Sequence, residues 1–178
     1  MPTTAVVADS TSYLPPELLA QHDIKEVSLY VGLEGEQGRE TDITDLHAFY
    51  EKLRISDQTV TTSQPSVGDF ISVYEPLLDE GKEIVSIHLS SGISGTVESA
   101  MQARERLTAD GKGGERIVVV DSLTGAGGMG LMVLAAANAA ENGGSAAEAK
   151  QRAEAAREQL KIWFAVMSRP SAWPSARA

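Results

Sequence analysis

The sequence predicts an α/β fold with three layers, α/β/α, around a mostly parallel sheet. Short runs of β-branched residues alternate with longer amphipathic segments, which is typical of parallel strands joined by helices. Loops rich in Ser, Thr, Gly and Asp follow the predicted strands and precede helices. A chain of 178 residues with 42% hydrophobic and 22% charged residues has the composition of one globular domain with a substantial core.

In the first half of the chain, capping residues mark where helices begin. Pro15 and Pro16 favour a first helical turn, and Ser66 is a good N-cap with Asp69 three residues later. The elements predicted here are strands at 4–8 and 26–31, a Gly-rich hairpin turn at 32–38, a short strand near 39–40, helices at 16–19 and from Thr44 or Asp45 to Leu53, an extended segment at 59–66, and a helix from there to Leu78.

The second half contains the most apolar strands. The run RIVVV at 116–120 is predicted to be the central strand, because it has few polar side chains to expose. The remaining predicted elements are a strand at 84–89, a helix ending near 110–111, helices at 125–141 and 145–160, and a last strand at 163–166.

Composition excludes several classes of function. The chain has no Cys, which excludes disulfides, thiolate zinc sites, iron–sulfur clusters and cysteine nucleophiles. The net charge of −10 argues against a nucleic-acid partner. The N-terminal segment lacks the basic and apolar regions of a signal peptide, and no apolar run reaches the ~18 residues of a membrane span. We therefore expect a cytoplasmic domain with no integral membrane segment.

Four polar loops are candidate site elements. Ligands of open parallel sheets bind outside the carboxyl ends of the strands, and helix N-termini there present free N–H groups. Hydroxyls and amides without a Lys or metal cluster suit a small anionic head group, either phosphate or carboxylate. Each loop taken alone is more often a helix cap. The loops are Asp9–Ser12, Thr61–Ser66, Ser90–Thr96 and Asp121–Gly128.

Two of these loops begin with the same strand–Asp–Ser ending. Asp9-Ser10 and Asp121-Ser122 could supply magnesium ligands for phosphoryl chemistry. The interpretation we favour is structural, with each carboxylate accepting amide hydrogen bonds from the turn that follows.

Two other motifs are weak. Gly125, Gly127 and Gly130 match the dinucleotide fingerprint, but no acidic residue ends a following strand, so close backbone approach explains these glycines better. The segment 92–95 nearly matches a nucleophile elbow, yet none of the three His is an obvious base. His88 is expected to be packed or hydrogen-bonded within its strand.

Four segments together resemble the DegV family of fatty-acid-binding proteins. They are VADSTSYLP at 7–15, TSQPS at 62–66, SSGISGT at 90–96, and VVDS followed by GAGGMG within 119–130. The resemblance covers residues 1–166 and implies the N-terminal domain of that fold. It also implies a non-enzymatic protein that encloses one long-chain fatty acid, such as palmitate, and presents it to a fatty acid kinase for phospholipid synthesis.

The resemblance also implies the site. The family's carboxylate contacts fall on Thr62 and Ser94, with the amide of Gly95 as a third donor. Hydroxyls and amides favour the charged form of a buried acid, so this agrees with the loop chemistry. No cofactor or metal is implied. Residues of the supporting loops are Asp9, Ser10, Ser63, Ser91, Asp121 and Ser122.

The end of the chain departs from the family. Residues 167–178 lack acidic residues and periodicity, and they stand where family members continue into a second domain that covers the acyl chain. We expect a disordered or frame-shifted tail there and an absent second domain. Two alternatives to fatty-acid binding remain open: a phosphate- and magnesium-binding subunit of a small-molecule phosphotransferase, and a non-functional or partner-dependent fragment.

Overall fold

A computed structural model describes residues 3–33, 35–55 and 60–163 of the chain. In chain order its elements are β1 (Thr4–Asp9), α1 (Pro16–Gln21), β2 (Lys25–Val27), β3 (Tyr30–Leu33), β4 (Glu36–Arg39), α2 (Leu46–Ile55), β5 (Thr61–Ser63), α3 (Val67–Asp79), β6 (Glu83–His88), α4 (Thr96–Ala109), β7 (Ile117–Asp121), α5 (Ala126–Glu141) and α6 (Ala146–Gln159). Short 3-10 turns lie at Ser10–Ser12, Glu40–Asp42 and Gly114–Arg116.

The main sheet is fully parallel, with the strand order β2-β1-β6-β7. The prediction that RIVVV forms the central strand is wrong for the described residues, since β7 lies at an edge of this sheet. Both of its faces are nevertheless covered: Ile117 and Val119 pack with one core cluster, Val118 and Val120 with the other. Coverage by helices on two sides, rather than a central position, explains the apolar run.

Helices cover both faces of the main sheet, which confirms the three-layer α/β/α prediction. Successive side chains of a strand point to opposite faces. Val6 and Val85 therefore face α5 and α6, whereas Val7 and Ile84 face α3 and α4. All four side chains are almost fully buried, and the two cores hold the sheet between them.

A second sheet, ordered β4-β3-β5, is antiparallel. The predicted strand at 26–31 is divided between the two sheets. At the division, the amide of Leu29 donates to Ser10 Oγ at 3.0 Å, and its carbonyl accepts from the amide of Glu40 at 2.8 Å. These bonds replace the main-sheet ladder after Val27. The hairpin prediction is confirmed, because Leu33 pairs with Glu36, but the second strand is Glu36–Arg39 rather than the one expected near 39–40.

The predicted helix caps are confirmed. Ser66 and Asp69 form the expected reciprocal capping box at the start of α3. Ser145 and Glu148 form a second capping box at the start of α6, which was not predicted. Asp45 accepts a 2.9 Å bond from the Ala48 amide at the start of α2. In the described ranges, no helix is long and apolar enough to cross a membrane.

The last predicted strand, 163–166, is only partly covered by the structure. Trp163 is not in a strand, and residues 164–166 lie outside the described residues, as does the predicted tail at 167–178.

Candidate functional site

Three of the candidate loops lie together because the strands they follow are parallel and adjacent. β1, β6 and β7 are neighbours, so the loops after Asp9, His88 and Asp121 emerge at one edge of the main sheet. The fourth candidate segment, Thr61–Ser66, contains β5 of the second sheet, so Thr62 lies in a strand and not in a loop. Gln64 brings it against the β6 loop, since a Cβ atom added to Gly95 would lie 2.9 Å from Gln64 Nε2. Glycine at position 95 permits this approach.

A depression of about 190 Å³ forms where these loops meet. It is lined by Thr62, Ser63, Gln64, Ser94 and Gly95, together with the apolar residues Leu29, Leu89 and Ile93. Thus the structure brings Thr62, Ser94 and Gly95 to one place, although their role in ligand binding stays a prediction. None of the described residues that line the depression is charged.

The donors of the depression are hydroxyl groups beside a helix N-terminus. The Thr62 hydroxyl has no hydrogen-bond partner among the described residues. Ser94 Oγ lies 2.9 Å from Thr96 Oγ1, and Gly95 is the N-cap of α4. A helix N-terminus carries partial positive charge and unpaired N–H groups. The arrangement can therefore hold one small anionic group without a cationic side chain.

A larger open groove, of about 1000 Å³, lies between α5 and α6. It is lined mainly by Ala, Asn, Gln and a few charged side chains, and it contains none of the predicted site residues. We therefore regard the smaller depression as the candidate site.

The Asp9 carboxylate is fully buried and bonded on both oxygens. Oδ1 accepts from the amide and hydroxyl of Thr11 at 3.0 and 2.5 Å, and Oδ2 accepts from the Leu89 amide at 2.9 Å. Oδ2 also lies 3.1 Å from His88 Nδ1. Burial by itself raises the pKa of Asp9, but His88 and the other donors outweigh it and hold the pKa below its ordinary value.

His88 connects Asp9 to a buried chain of hydroxyl groups. His88 Nε2 lies 2.6 Å from Ser86 Oγ, which lies 2.7 Å from the Tyr74 hydroxyl. With the imidazole neutral, Nδ1 donates to Asp9, Nε2 accepts from Ser86, and Ser86 accepts from Tyr74. The prediction that His88 is packed or hydrogen-bonded is confirmed, since the side chain is fully buried and both ring nitrogens have partners. Sequence reasoning missed Tyr74 and Ser86, because only the packing of α3 against the sheet brings them together.

Asp121 makes a similar set of contacts at the end of β7. Its oxygens accept from the Leu123 amide at 2.9 Å, from the Ser91 amide at 3.2 Å and from Ser91 Oγ at 2.5 Å. The prediction that each strand-end Asp binds the following turn is therefore confirmed. Both carboxylates also bind the loop after β6, which the sequence did not indicate.

The remaining supporting residues are bonded within the protein. Ser10 Oγ donates to Glu40 at 2.5 Å, Ser122 Oγ donates to the Thr124 carbonyl at 2.9 Å, and Ser63 Oγ accepts from Gln37 at 2.8 Å. Of these three, only Ser63 lines the depression.

Among the described residues, no group of three or more His, Cys, Asp or Glu is arranged to hold a metal ion. The carboxylates at the two strand ends, which the magnesium interpretation would use, already accept hydrogen bonds from nearby loops. The geometry therefore favours the structural interpretation of the Asp–Ser endings.

Close backbone approach, the expected reason for the glycines at the start of α5, is found at Gly130 but not at Gly127. A Cβ atom at Gly130 would lie 2.8 Å from the Ser12 carbonyl oxygen, whereas one at Gly127 would meet open space. The helix thus packs directly against the loop after β1.

Comparison with known proteins agrees with this architecture. A family model described as an uncharacterised protein of the DegV family matches residues 3–168. A DegV domain-containing protein of Staphylococcus aureus is 35% identical over 162 residues, which are 90% of this chain and 55% of that protein. The chain therefore spans about half the length of the curated relatives it matches.

Solved structures give the same result. A DegV family protein of Thermus thermophilus, described by its fatty acid binding, superposes with a TM-score of 0.77 at 35% identity, over 87% of this chain and 53% of that one. DegV of Bacillus subtilis, described as a fatty acid binding protein, also has a TM-score of 0.77 at 35% identity, over 87% and 54%. The chain with the Thr62–Ser94 depression is thus a member of the DegV family.

Proposed function

We propose that this chain binds the carboxylate of a long-chain fatty acid at Thr62, Ser94 and Gly95. The observation that carries the proposal is that two hydroxyls and a helix N-terminus meet in a depression with no charged lining residue. The solved relatives described as binding fatty acids support it.

The donor chemistry fits a carboxylate at a partly apolar site. An acid near apolar side chains is driven toward its neutral form unless hydrogen-bond donors stabilise its charge. The Thr62 and Ser94 hydroxyls and the Gly95 amide are such donors. Leu29, Leu89 and Ile93 line the same depression and present apolar surface to the first methylenes of a tail.

Exposed apolar residues extend from the depression along the same edge of the sheet. Ile93 is 70% exposed, Leu123 63% and Tyr13 62%, and each lies in a loop that follows a strand of the main sheet. An acyl tail lying on this surface gains roughly 0.8 kcal/mol for each methylene removed from water. We propose that the acyl chain follows these residues.

The proposal extends to the covering of the acyl tail and to the use made of the bound acid. In a protein of the relatives' full length, we propose that the remaining half covers the tail. The bound acid, palmitate for example, is then presented to a fatty acid kinase in the cytoplasm, and the binding protein carries out no chemical step. The assignment of 1–166 to the DegV-like domain and of 167–178 to a tail stays a prediction.

The test is the double variant Thr62→Ala/Ser94→Ala, measured by direct titration with palmitate and with its methyl ester. We expect palmitate affinity to fall about tenfold or more, because two hydrogen bonds to a charged group are lost, and ester affinity to stay within about twofold. Thr41→Ala/Thr44→Ala removes two exposed hydroxyls outside the depression and is the matched control. Equal palmitate affinity in the double variant and the wild type contradicts the proposal.

A further inference from the structure

We infer that Asp9 and Asp121 are positioning residues that hold the loop carrying Ser94 from both sides. This loop, residues 89–95, follows β6 and is called the β6 loop below. The inference rests on the proposed function for its effect on ligand affinity, whereas its structural part is measured without ligand.

Asp9 holds the start of the β6 loop from the side of β1. β1 and β6 are parallel with Ala8 opposite Ile87, so the end of β1 lies beside the first residues of the loop. Asp9 Oδ2 accepts the Leu89 amide at 2.9 Å, and Leu89 lines the depression. This carboxylate is fully buried and is also bonded to His88. It therefore cannot rotate away from the Leu89 amide without breaking its contact with His88.

Asp121 holds the next residues from the opposite side. β7 pairs with β6 so that Asp121 lies opposite His88. The Asp121 carboxylate accepts hydrogen bonds from both the amide and the hydroxyl of Ser91. A further hydrogen bond from the Leu123 amide fixes the orientation of the carboxylate. The Ser90 amide donates to the Thr124 carbonyl at 2.9 Å, which adds a backbone tie on the same side.

The anchored residues determine where Ser94 lies. The Ser90 carbonyl accepts from the amides of Ile93 and Ser94, at 2.9 and 3.1 Å. Because of this tight turn, the positions of Ser90 and Ser91 determine where the Ser94 hydroxyl and Gly95, at the start of α4, lie. A displacement at the anchored end therefore moves donors in the depression.

Ser10 makes a similar contact with another residue that lines the depression. Its hydroxyl accepts a hydrogen bond from the Leu29 amide at 3.0 Å, and Leu29 lines the depression. Asp9 therefore holds Leu89, and Ser10 holds Leu29. Both apolar residues line the depression.

The charge of the two carboxylates is consistent with positioning rather than ligand contact. Neither Asp lines the depression, and each is surrounded by donors from the protein itself. A carboxylate facing a bound fatty acid would repel it, whereas one that faces loop amides organises the donors without opposing the ligand.

The test is Asp121→Asn, which keeps the side-chain shape but replaces one acceptor oxygen with a donor. Amide hydrogen exchange is followed in peptides covering the β6 loop, with palmitate and methyl ester titrations alongside. We expect exchange of the loop to become about tenfold faster, palmitate affinity to fall at least about fivefold and ester affinity to stay within about twofold. A merely global loss of stability would not change the acid-to-ester ratio.

Two controls sharpen the result. Asp79→Asn removes the same charge from an exposed position at the end of α3, and it should leave both readouts unchanged. In the Ser91→Ala background, Asp121→Asn should have a clearly smaller effect, because the two substitutions remove one shared contact.

Loop exchange that stays unchanged in Asp121→Asn overturns the inference. Faster exchange with no loss of palmitate affinity, in a wild type that binds palmitate, overturns its functional part. If the wild type binds no fatty acid but exchange accelerates, the proposed function fails while the structural role of Asp121 stands.

The Asp9 half of the inference is tested on the wild type, so that the buried carboxylate and its contacts stay in place. The amide resonances of Leu89 and Thr11 are followed as the pH is lowered. A common midpoint supports the contact to one carboxylate, and a Leu89 resonance that does not move with Thr11 overturns this half.

Discussion

The hydroxyl of Tyr74 lies 2.7 Å from Ser86 Oγ, so a residue of α3 is bonded through the core to the middle of β6. Ser86 in turn contacts His88, and His88 contacts Asp9 at the edge that carries the candidate site. No buried side-chain nitrogen or oxygen in the described part of the chain lacks a partner. The chain of contacts therefore makes each of its members sensitive to the loss of a neighbour.

Ser86→Ala should destabilise the protein more than Tyr74→Phe. Removing the Ser86 hydroxyl leaves both Tyr74 and His88 without that partner in the core, at a cost of about 2–3 kcal/mol, whereas Tyr74→Phe leaves the Ser86–His88 contact intact and costs about 1 kcal/mol. Urea unfolding measures both values. Ser72→Ala, at an exposed hydroxyl of α3, is the control and should cost less than about 0.5 kcal/mol. Equal costs for Ser86→Ala and Tyr74→Phe would contradict the order of contacts.

Asp9 should make stability depend on pH at the acid end. Its folded pKa lies below the ordinary value of 3.8, so the unfolded chain binds the proton more readily. The stabilisation is present above the unfolded pKa and is lost as pH falls through the folded pKa. Asp9→Asn should lower the free energy of unfolding at pH 7 by about 3 kcal/mol and flatten its dependence below about pH 4.

Urea unfolding of the wild type and Asp9→Asn between pH 7 and 3 measures this dependence. Asp79→Asn serves as the control, because it removes an exposed carboxylate. If the free energy of unfolding falls with pH equally steeply in the wild type and in Asp9→Asn, a group other than Asp9 causes the loss of stability in acid.

Gly130→Ala and Gly127→Ala should have opposite effects, although both lie in the first turns of α5. At Gly130 the added methyl group would meet the Ser12 carbonyl oxygen at 2.8 Å, and the backbone there cannot move aside, so we expect a loss of about 1–3 kcal/mol. At Gly127 the space is open, and alanine should stabilise the helix by about 0.5 kcal/mol. Thermal unfolding distinguishes the two, and a stabilising Gly130→Ala would contradict the close packing.

Gly95→Ala should affect ligand binding more than stability. The added methyl group would lie 2.9 Å from Gln64 Nε2, at the end of a flexible side chain that can rotate away. Both residues line the depression, so the shift changes its shape. We expect stability to change by less than about 1 kcal/mol and palmitate affinity to fall severalfold. If palmitate affinity is unchanged in Gly95→Ala, the ligand does not bind in this depression.

Local rules account for what could be predicted. Helix caps and strand alternation depend on neighbours a few residues apart, so the Ser66–Asp69 box, the β3–β4 hairpin and the three-layer arrangement followed from the sequence. The polar loops were also recognisable, and resemblance to the DegV family singled out Thr62 and Ser94 within them. The exposure of Ile93 was not predictable, because it depends on which side of the β6 loop faces the core in the folded protein.

By itself, the sequence determined most of the strands and helices and which loops carry donors, because these features depend on short-range periodicity and capping. Only the tertiary structure decided that β7 lies at an edge, that residues 26–31 divide between two sheets and that Asp9 reaches Leu89. The physical reason is that strand order and register join residues far apart in the chain. Hydrogen bonds across those strands carry no signature in the local sequence.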